Sequence, residues 1–298
     1  MENKLVLDFG GTAVKYALMD VERNFLEKGS QKAPTDSMDL LLQTIDGLTE
    51  RFRNRFNGVA ISLAGQIDRE KGYVYRGGAY SFLENIPLAS VLSQRYHVPV
   101  TILNDANAAT LAEAQLGNLR NTSNGMAIII GTGIGAGLIL NGNIVPGSNF
   151  YAGELSGIVT DRHDKTMYGT FCATNGTRTL LREYGTAVGV PPETLDGRSF
   201  FEKVSADKNA YIVLNRFCEN LALQIYNIQC LLDLQRIVLG GGISQQSALI
   251  AGVQDQLDMV FERYARFHVQ KPQVLACKFF NDANLFGALL NYEASVQN

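Results

Sequence analysis

Two segments of this chain share a pattern in which a hydrophobic strand enters a glycine-containing turn and a second strand follows at once. They read LVLDFGGTAVKYALM (5–19) and GMAIIIGTGIGAGLIL (125–140). In the first segment Val14, Tyr16 and Leu18 alternate with other residues, a strand period that predicts a β-hairpin. In Walker and dinucleotide-binding motifs a helix would follow such a turn. Two related hairpins predict duplicated α/β halves facing each other across a cleft.

Other segments fit the same α/β organisation. A strand is predicted in GVAISLAG (58–65), and apolar residues three and four apart predict a helix in MDLLLQTIDGLTERFRNRF (38–56). The segment PVTILNDANAATLAEAQLG (99–117) reads as a strand, two polar residues and an alanine-rich helix. A third glycine cluster lies in IVLGGGIS (237–244). Polar residues at the carboxyl end of a strand are typical of ligand sites in open α/β sheets.

The composition describes a globular protein with room for two domains. The chain has 298 residues, 46% of them hydrophobic, and a formal net charge of −3. No basic stripe, signal peptide or long apolar run is present, so we expect a cytoplasmic protein with no nucleic-acid or membrane partner. The cysteines lack CxxC spacing, which argues against a structural zinc site. Cys218 and Cys230 fall in an apolar helical run and are expected in the core.

Two aspartates are candidates for chemistry. Asp8 precedes a Gly-Gly-Thr turn whose N–H groups and hydroxyl suit phosphate oxygens, and its carboxylate suits a metal ion. The alternative is an ordinary hairpin with an aspartate-capped turn. Asp105 follows a nonpolar strand and is a candidate general base for an attacking hydroxyl. The alternative is that Asp105 only caps the following helix, since NDAN is favourable capping chemistry.

Five collinear motifs resemble the signature stretches of the ROK family, within the sugar kinase, Hsp70 and actin superfamily. They are LDFGGTAVKYALMD, LNDANAATLAEAQLG, IIIGTGIGAGLILNGNIVPG, AGE and YNIQCLLDLQRIVLGGGIS. The resemblance implies an α/β fold of two actin-like (ribonuclease H-like) domains that bind ATP, magnesium and a hexose. It also implies transfer of the γ-phosphate to a sugar hydroxyl, by default the 6-hydroxyl.

The resemblance assigns roles by position. It implies phosphate or adenosine binding by Asp8, Gly10, Gly11 and Thr12, by Gly131, Thr132 and Gly133, and by Gly240, Gly241 and Gly242. It implies sugar binding by Gly65, Gly78, Asn104, Asp105 and Glu154, with Asp105 as the catalytic base and Asp8 serving magnesium. We expect an N-terminal domain over 1–116, completed by a helix over 284–298, and a C-terminal domain over 117–283. A homodimer is a further family expectation. Some family members are sugar-responsive repressors with an N-terminal helix-turn-helix, and we expect none here because the first hairpin begins four residues into the sequence.

The sequence departs from the family pattern after the AGE motif. Many members continue with Gly-His and a cysteine cluster that bind zinc, whereas this chain has Ser156 and Gly157 there. Cys172 and His163 cannot supply the roughly four ligands of a structural zinc site. The chain therefore resembles the zinc-free branch, which includes β-glucoside kinases and some N-acetylmannosamine kinases. A further sugar-binding glutamate of many members has no match near Cys172.

An ATP-dependent sugar kinase is the preferred interpretation. One alternative is a sugar sensor of the same fold with weak or no catalysis, which the altered sugar side favours. Retention of Asp8, Thr12 and Asp105 argues against it, because a binding protein needs no base. A second alternative, an ATPase of the actin or Hsp70 type, leaves NDANAA unexplained. Since one fold hosts many functions, the site has to decide.

Overall fold

The opening hairpin forms as the alternation predicts. In the computed structural model, which describes residues 2–296, the strands β1 (Lys4–Phe9) and β2 (Ala13–Met19) pair antiparallel. Asp8 lies opposite Lys15 and Phe9 opposite Val14. Gly10 N–H donates to the carbonyl of Ala13 at 3.1 Å and closes the turn. The predicted hairpin is therefore confirmed.

The remaining elements follow in chain order. They are β3 (Phe25–Lys32), α1 (Met38–Arg51), β4 (Val59–Leu63), β5 (Gln66–Asp68), β6 (Tyr73–Arg76), β7 (Glu84–Ile86), α2 (Leu88–Tyr96), β8 (Val100–Asn104), α3 (Asp105–Leu116), β9 (Gly125–Ile130), β10 (Ile134–Leu140), β11 (Asn143–Ile144), α4 (Phe171–Asn175), α5 (Thr177–Val188), α6 (Gly197–Lys203), α7 (Lys208–Leu232), β12 (Arg236–Gly240), α8 (Ser247–Arg263), β13 (Gln273–Ala276) and α9 (Ala283–Val296).

The chain divides into two units. The first comprises residues 2–112, 146–152 and 282–296, and the second comprises 113–145 and 153–281. The segment 146–152 groups with the first unit, although its position in the sequence placed it within the expected C-terminal domain. The helix expected over 284–298 is α9, and positions 297 and 298 lie outside the described residues.

The first unit is built on a five-stranded sheet of order β3-β2-β1-β4-β8. The strands β1, β4 and β8 are parallel, and Phe9, Leu63 and Asn104 lie in register at their carboxyl ends. The strands β1 and β4 are buried on both faces, whereas the edge strand β3 is largely exposed. One face packs against α1 and α2, and the other packs against α9. A second, antiparallel sheet, β5-β6-β7, follows β4 in the same unit.

The second unit repeats the strand order of the first. Its sheet runs β11-β10-β9-β12-β13, with β9 antiparallel to β10 and parallel to β12. The larger core on one face gathers residues of α5, α7 and α8. The same sequence of antiparallel and parallel neighbours in both sheets confirms the duplicated α/β architecture predicted from the two hairpins.

Helix boundaries follow local chemistry. Ser37 caps α1 by accepting the N–H of Leu40, and the buried residues Leu41, Ile45 and Leu48 form its apolar stripe.

In α7 Cys218 is buried, but Cys230 is exposed, so the core placement of Cys230 was wrong. The adjacent Leu231 is exposed as well, so the apolar run continues onto the solvent side near the end of this helix. No helix among residues 2–296 is long and apolar enough to cross a membrane.

Candidate active site

The turn of the first hairpin is fixed by a buried tyrosine and is exposed to solvent at two of its residues. Gly11 and Thr12 are exposed. Tyr80, fully buried, donates its hydroxyl to the carbonyl of Gly10 at 2.8 Å. Burial, and then the nearby charge of Asp8, raise the pKa of Tyr80 well above its ordinary value, so its hydroxyl stays protonated. The tyrosine therefore fixes the position of the exposed backbone, whose N–H groups are suited to binding phosphate oxygens.

Asp8 is buried and its carboxylate is oriented by neutral donors. Its Oδ1 accepts from Ser62 Oγ at 2.9 Å and from Asn284 Nδ2 at 3.0 Å. Its Oδ2 lies 3.4 Å from the ammonium of Lys15. Mg²⁺ prefers carboxylate and phosphate oxygens together with water, so a buried, pre-oriented carboxylate beside an exposed Gly-Gly-Thr turn fits a Mg²⁺–phosphate group. Asp8 is the residue here that would hold the ion, directly or through water.

Asn104 and Asp105 lie where β8 ends and α3 begins. Asn104 is buried; its amide donates to the carbonyl of Gly65 at 2.9 Å and its Oδ1 accepts the N–H of Asn107 at 3.0 Å. Asp105 is half-buried, and its Oδ1 accepts the N–H of Ala106 at 2.9 Å. The carboxylate therefore does act at the helix start. Because a carboxylate has two oxygens, this contact leaves the proposed base function open.

Gly65 and Gly78 lie in turns that only glycine allows. Gly65 has φ +134°, and a Cβ there would stand 2.1 Å from the carbonyl oxygen of Arg76. Gly78 has φ +58°, and a Cβ there would stand 3.1 Å from the carbonyl oxygen of Ala64. The two turns thus pack against each other beside Asn104.

The second hairpin carries the second glycine turn. Gly131 N–H donates to the carbonyl of Gly133 at 2.9 Å, and its own carbonyl accepts from Thr177 N–H at 2.9 Å. A Cβ on Gly133 would lie 2.6 Å from Cys172 Sγ, and one on Gly176 would lie 2.4 Å from the carbonyl oxygen of Thr132. The starts of α4 and α5 therefore pack closely against this turn.

The second unit contains a cavity of about 850 Å³ beside this turn. Ligand cavities for molecules of cofactor size are roughly 300–1,000 Å³. The lining brings together two of the predicted glycine clusters through Gly131, Thr132 and Gly242. Gly240 and Gly241 are not in the lining. They pack on β9 instead, where a Cβ on Gly241 would stand 2.1 Å from the carbonyl oxygen of Ile130.

Most of the residues that line the cavity were not predicted from the sequence. Besides the glycine clusters it contains both charged and apolar side chains. These are Ile130, Thr177, Arg178, Leu181, Pro192, Glu193, Gly197, Arg198, Ile243, Gln245, Gln246 and Asn281. The charged ones come from loops and helix starts between 177 and 198, where no residue pattern marks a ligand. The two guanidinium groups give the cavity a lining suited to an anionic ligand.

Glu154, the predicted sugar-binding glutamate, lies in the second unit. Glu154 is half-buried, and Ser156 Oγ donates to its Oε2 at 3.3 Å. Burial raises the pKa of Glu154, and the Ser156 hydrogen bond only partly opposes this shift. A Cβ on Gly157 would meet no atom within 4 Å, so the place of the family histidine is open. Among residues 2–296, no group of three or more His, Cys, Asp or Glu side chains is placed to hold a metal ion.

The two sheets of equal strand order, each with a glycine-turn hairpin, define the class of actin-like ATPase folds. Comparison with known proteins gives the family: the sequence profile of the ROK family matches residues 4–294, and the chain belongs to that family. The predicted fold class and family are confirmed. The predicted enzyme class, an ATP-dependent carbohydrate kinase, is confirmed as a class by relatives named as sugar kinases.

Three similar proteins illustrate the match. A β-glucoside kinase from Listeria monocytogenes is 29% identical over 290 residues, which cover 96% of this chain and 95% of that protein. A solved structure of a Listeria monocytogenes protein, proposed to be an N-acetylmannosamine kinase, has a TM-score of 0.89 at 27% identity and covers 99% of this chain and 100% of its own. A ROK family protein from Streptococcus pneumoniae TIGR4, solved with sucrose, has a TM-score of 0.87 at 28% identity and 99% coverage of both chains.

Proposed function

We propose that this chain transfers the γ-phosphate of ATP to the 6-hydroxyl of a sugar that carries a substituent at C1 or C2, such as a β-glucoside or an N-acetylhexosamine. The observation that carries the proposal is the group of polar residues at the carboxyl ends of β1, β4 and β8. There Asp8 and Ser62 are the penultimate residues of β1 and β4, Asn104 is the last residue of β8, and Asp105 follows directly. Strand ends of this kind are where α/β sheets bind ligands.

In the proposed reaction Asp105 accepts the proton of the sugar hydroxyl. As that proton leaves, the hydroxyl oxygen forms a bond to the γ-phosphorus, and the bond from that phosphorus to the β,γ-bridging oxygen breaks. Asn104, Gly65 and Gly78 on the first unit, and Glu154 on the second, are proposed to orient the sugar. Mg²⁺, when bound, neutralises phosphate charge.

The nucleotide-binding residues are proposed separately for each unit. The exposed turn Gly10, Gly11 and Thr12 offers N–H groups and a hydroxyl to the phosphates, with Asp8 behind it. The cavity beside Gly131 and Gly242 is proposed to receive the nucleoside, and its size and its arginines suit a charged nucleotide.

The substituted sugar is favoured by the open space at Gly157. No side chain fills the position at which many family members place a histidine, so a substituent has room there. The name of the Listeria monocytogenes relative, β-glucoside kinase, agrees with this choice.

A coupled ADP-release assay over glucose, cellobiose, salicin, N-acetylglucosamine and N-acetylmannosamine tests the proposal. We expect sugar-dependent ADP release, with the phosphate at C6 by phosphorus NMR. If sugars bind by calorimetry but none is phosphorylated, the protein is a sensor of the same fold. Phosphate at C1 would overturn the assignment of the hydroxyl.

A further inference from the structure

The first unit has a row of three aromatic rings next to the proposed sugar-binding turns. Tyr73 and Tyr75 lie on one face of β6, with ring centroids 4.8 Å apart, while Val74 between them is buried on the other face. The ring of Phe150 stacks on Tyr75 at 5.5 Å with an interplanar angle of 16°. All three rings are partly exposed. We call these three residues the aromatic row.

The backbone is distorted at two members of the aromatic row. On β5, Gln66 pairs with Arg76 and Ile67 pairs with Val74, so Tyr75 is the extra residue of a β-bulge. Bulges re-aim side chains and are frequent next to active sites. Phe150 has φ +56°, a left-handed conformation that is unusual for a bulky residue. Such a conformation persists only where the surrounding structure imposes it, and it is enriched at ligand sites.

The aromatic row is connected to the proposed sugar-binding turn at Gly65 through neighbouring residues of two chain segments. Gln66 donates its side-chain amide to the carbonyl of Asn149, the neighbour of Phe150. Gly65, which precedes Gln66, accepts from Asn104, and its Cα packs against the carbonyl of Arg76, the neighbour of Tyr75. The residues next to Tyr75 and Phe150 therefore contact the chain at Gly65 and Gln66, which places the aromatic row close to the turn that is proposed to hold the sugar.

Resting on the proposed function, we infer that the aromatic row binds the second ring of a β-glucoside, the group attached at C1. The faces of aromatic rings are electronegative and attract the polarised C–H groups of a pyranose or the edge of an aryl ring. A core role alone would bury the three rings, whereas they remain partly exposed beside a binding turn. The substrate class is thus a disaccharide or an aryl β-glucoside rather than a C2-substituted monosaccharide.

The test compares cellobiose with glucose in variants at Phe150. Phe150→Leu removes the flat ring but retains an apolar side chain, and Phe150→Tyr restores the ring. We expect Phe150→Leu to lower the cellobiose-to-glucose ratio of kcat/KM by roughly three- to tenfold, with Phe150→Tyr close to the unaltered chain. Tyr211→Leu, at an exposed tyrosine of α7, is the matched control and leaves the ratio unchanged.

Calorimetry separates this inference from the kinase proposal. The ratio of the Kd values for cellobiose and glucose needs no turnover, so it reports on the aromatic row even if phosphorylation fails. A selective loss of cellobiose affinity in Phe150→Leu supports the inference. Equal losses for both sugars, an unchanged ratio, or no cellobiose binding to the unaltered chain would overturn it.

Discussion

The hydroxyl of Ser62 donates to the carboxylate of Asp8 across 2.9 Å, in a place where neither side chain is open to solvent. The two residues are partners in the register of the parallel strands β1 and β4. The orientation of the carboxylate is therefore set by the sheet itself. Asn284, from the start of α9, adds a second donor to the same oxygen.

Substitution of Asp8 tests the magnesium assignment. Asp8→Asn keeps an oxygen that can accept from Ser62 and Asn284, but it loses the charge that a cation needs. We expect the Mg²⁺ concentration for half-maximal rate to rise roughly ten- to a hundredfold, equivalent to about 1.5–3 kcal/mol for an interaction with a charged group, while sugar affinity is retained. The measurement is a Mg²⁺ titration of the rate, with sugar Kd by calorimetry.

Asp68→Asn provides the control for the magnesium titration. Asp68 is as little exposed as Asp8, at 4%, and lies in the same unit, but it caps a turn. We expect its Mg²⁺ dependence to match that of the unaltered chain. Full activity in EDTA would refute the magnesium assignment itself.

Asp105→Asn separates a catalytic base from a helix cap. The amide keeps the oxygen that accepts the N–H of Ala106 but cannot take a proton, so Tm stays while turnover falls by roughly 10²–10⁴-fold. Turnover, sugar affinity and thermal unfolding are measured together. Asp207→Asn, at the capping residue of α7, should leave turnover unchanged. Near-normal turnover in Asp105→Asn would leave Asp105 with only its capping role.

Glu154 predicts a pH-dependent stability. Because burial raises its pKa, the folded chain holds the proton more tightly than the unfolded chain does. The stabilisation from that proton is complete below the ordinary glutamate pKa and is lost as pH rises through the folded value. Glu154→Gln stays neutral, so its Tm should exceed that of the unaltered chain near pH 7, and the difference should shrink towards about pH 4.

Thermal unfolding across this pH range checks the prediction for Glu154. Glu202→Gln, at an exposed glutamate of α6, should show no such trend. A difference in Tm that is constant with pH would show that Glu154 does not titrate differently in the folded chain.

The open space at Gly157 predicts which sugar is preferred. We expect cellobiose to have a higher kcat/KM than glucose, by roughly ten- to a hundredfold, because this chain offers an unsubstituted hexose no histidine contact at Gly157. Gly157→His should narrow this preference by restoring a polar side chain at a position where a Cβ atom meets no atom within 4 Å. Gly47→His, at an equally open helical glycine, is the control. A clear preference of the unaltered chain for glucose would contradict the prediction.

Purified protein is expected to contain no stoichiometric zinc. Ser156 and Gly157 replace the family's Gly-His, and His163 is exposed beside Arg162 rather than near a group of thiols. Elemental analysis of the protein after gel filtration decides the question. One tightly bound zinc per chain would mean that residues 156–178 were misinterpreted.

Local patterns predicted the hairpins, but they did not predict the partners of Asp8. Strand alternation and glycine turns are short-range signals, so the turns at Gly10 and Gly131 could be read from the sequence. Ser62 and Asn284 lie far from Asp8 in the chain, and only the strand register and the packing of α9 bring them together. The one sign of this contact in the sequence was Ser62 itself, a polar residue within the apolar strand segment GVAISLAG (58–65).

The aromatic row was not predicted from the sequence for a similar reason. Tyr73 and Tyr75 read as ordinary strand residues, and nothing in the sequence indicates that Phe150 returns to the first unit. The cavity-lining Arg178 and Arg198 likewise stand in segments without a recognisable motif. Long-range contacts of this kind depend on tertiary packing, which a single sequence does not reveal.

The same four-residue sequence occurs where each of the two duplicated sheets ends, and its contacts differ between the two places. The tetrapeptide NDAN occurs twice, at 104–107, where β8 leads into α3, and at 281–284, where the chain after β13 leads into α9. In the second copy Asp282 forms an ion pair with Lys28 at 2.8 Å, and Asn284 holds Asp8. The same four residues therefore begin two helices in different surroundings, and only the first copy is proposed to contribute a catalytic base.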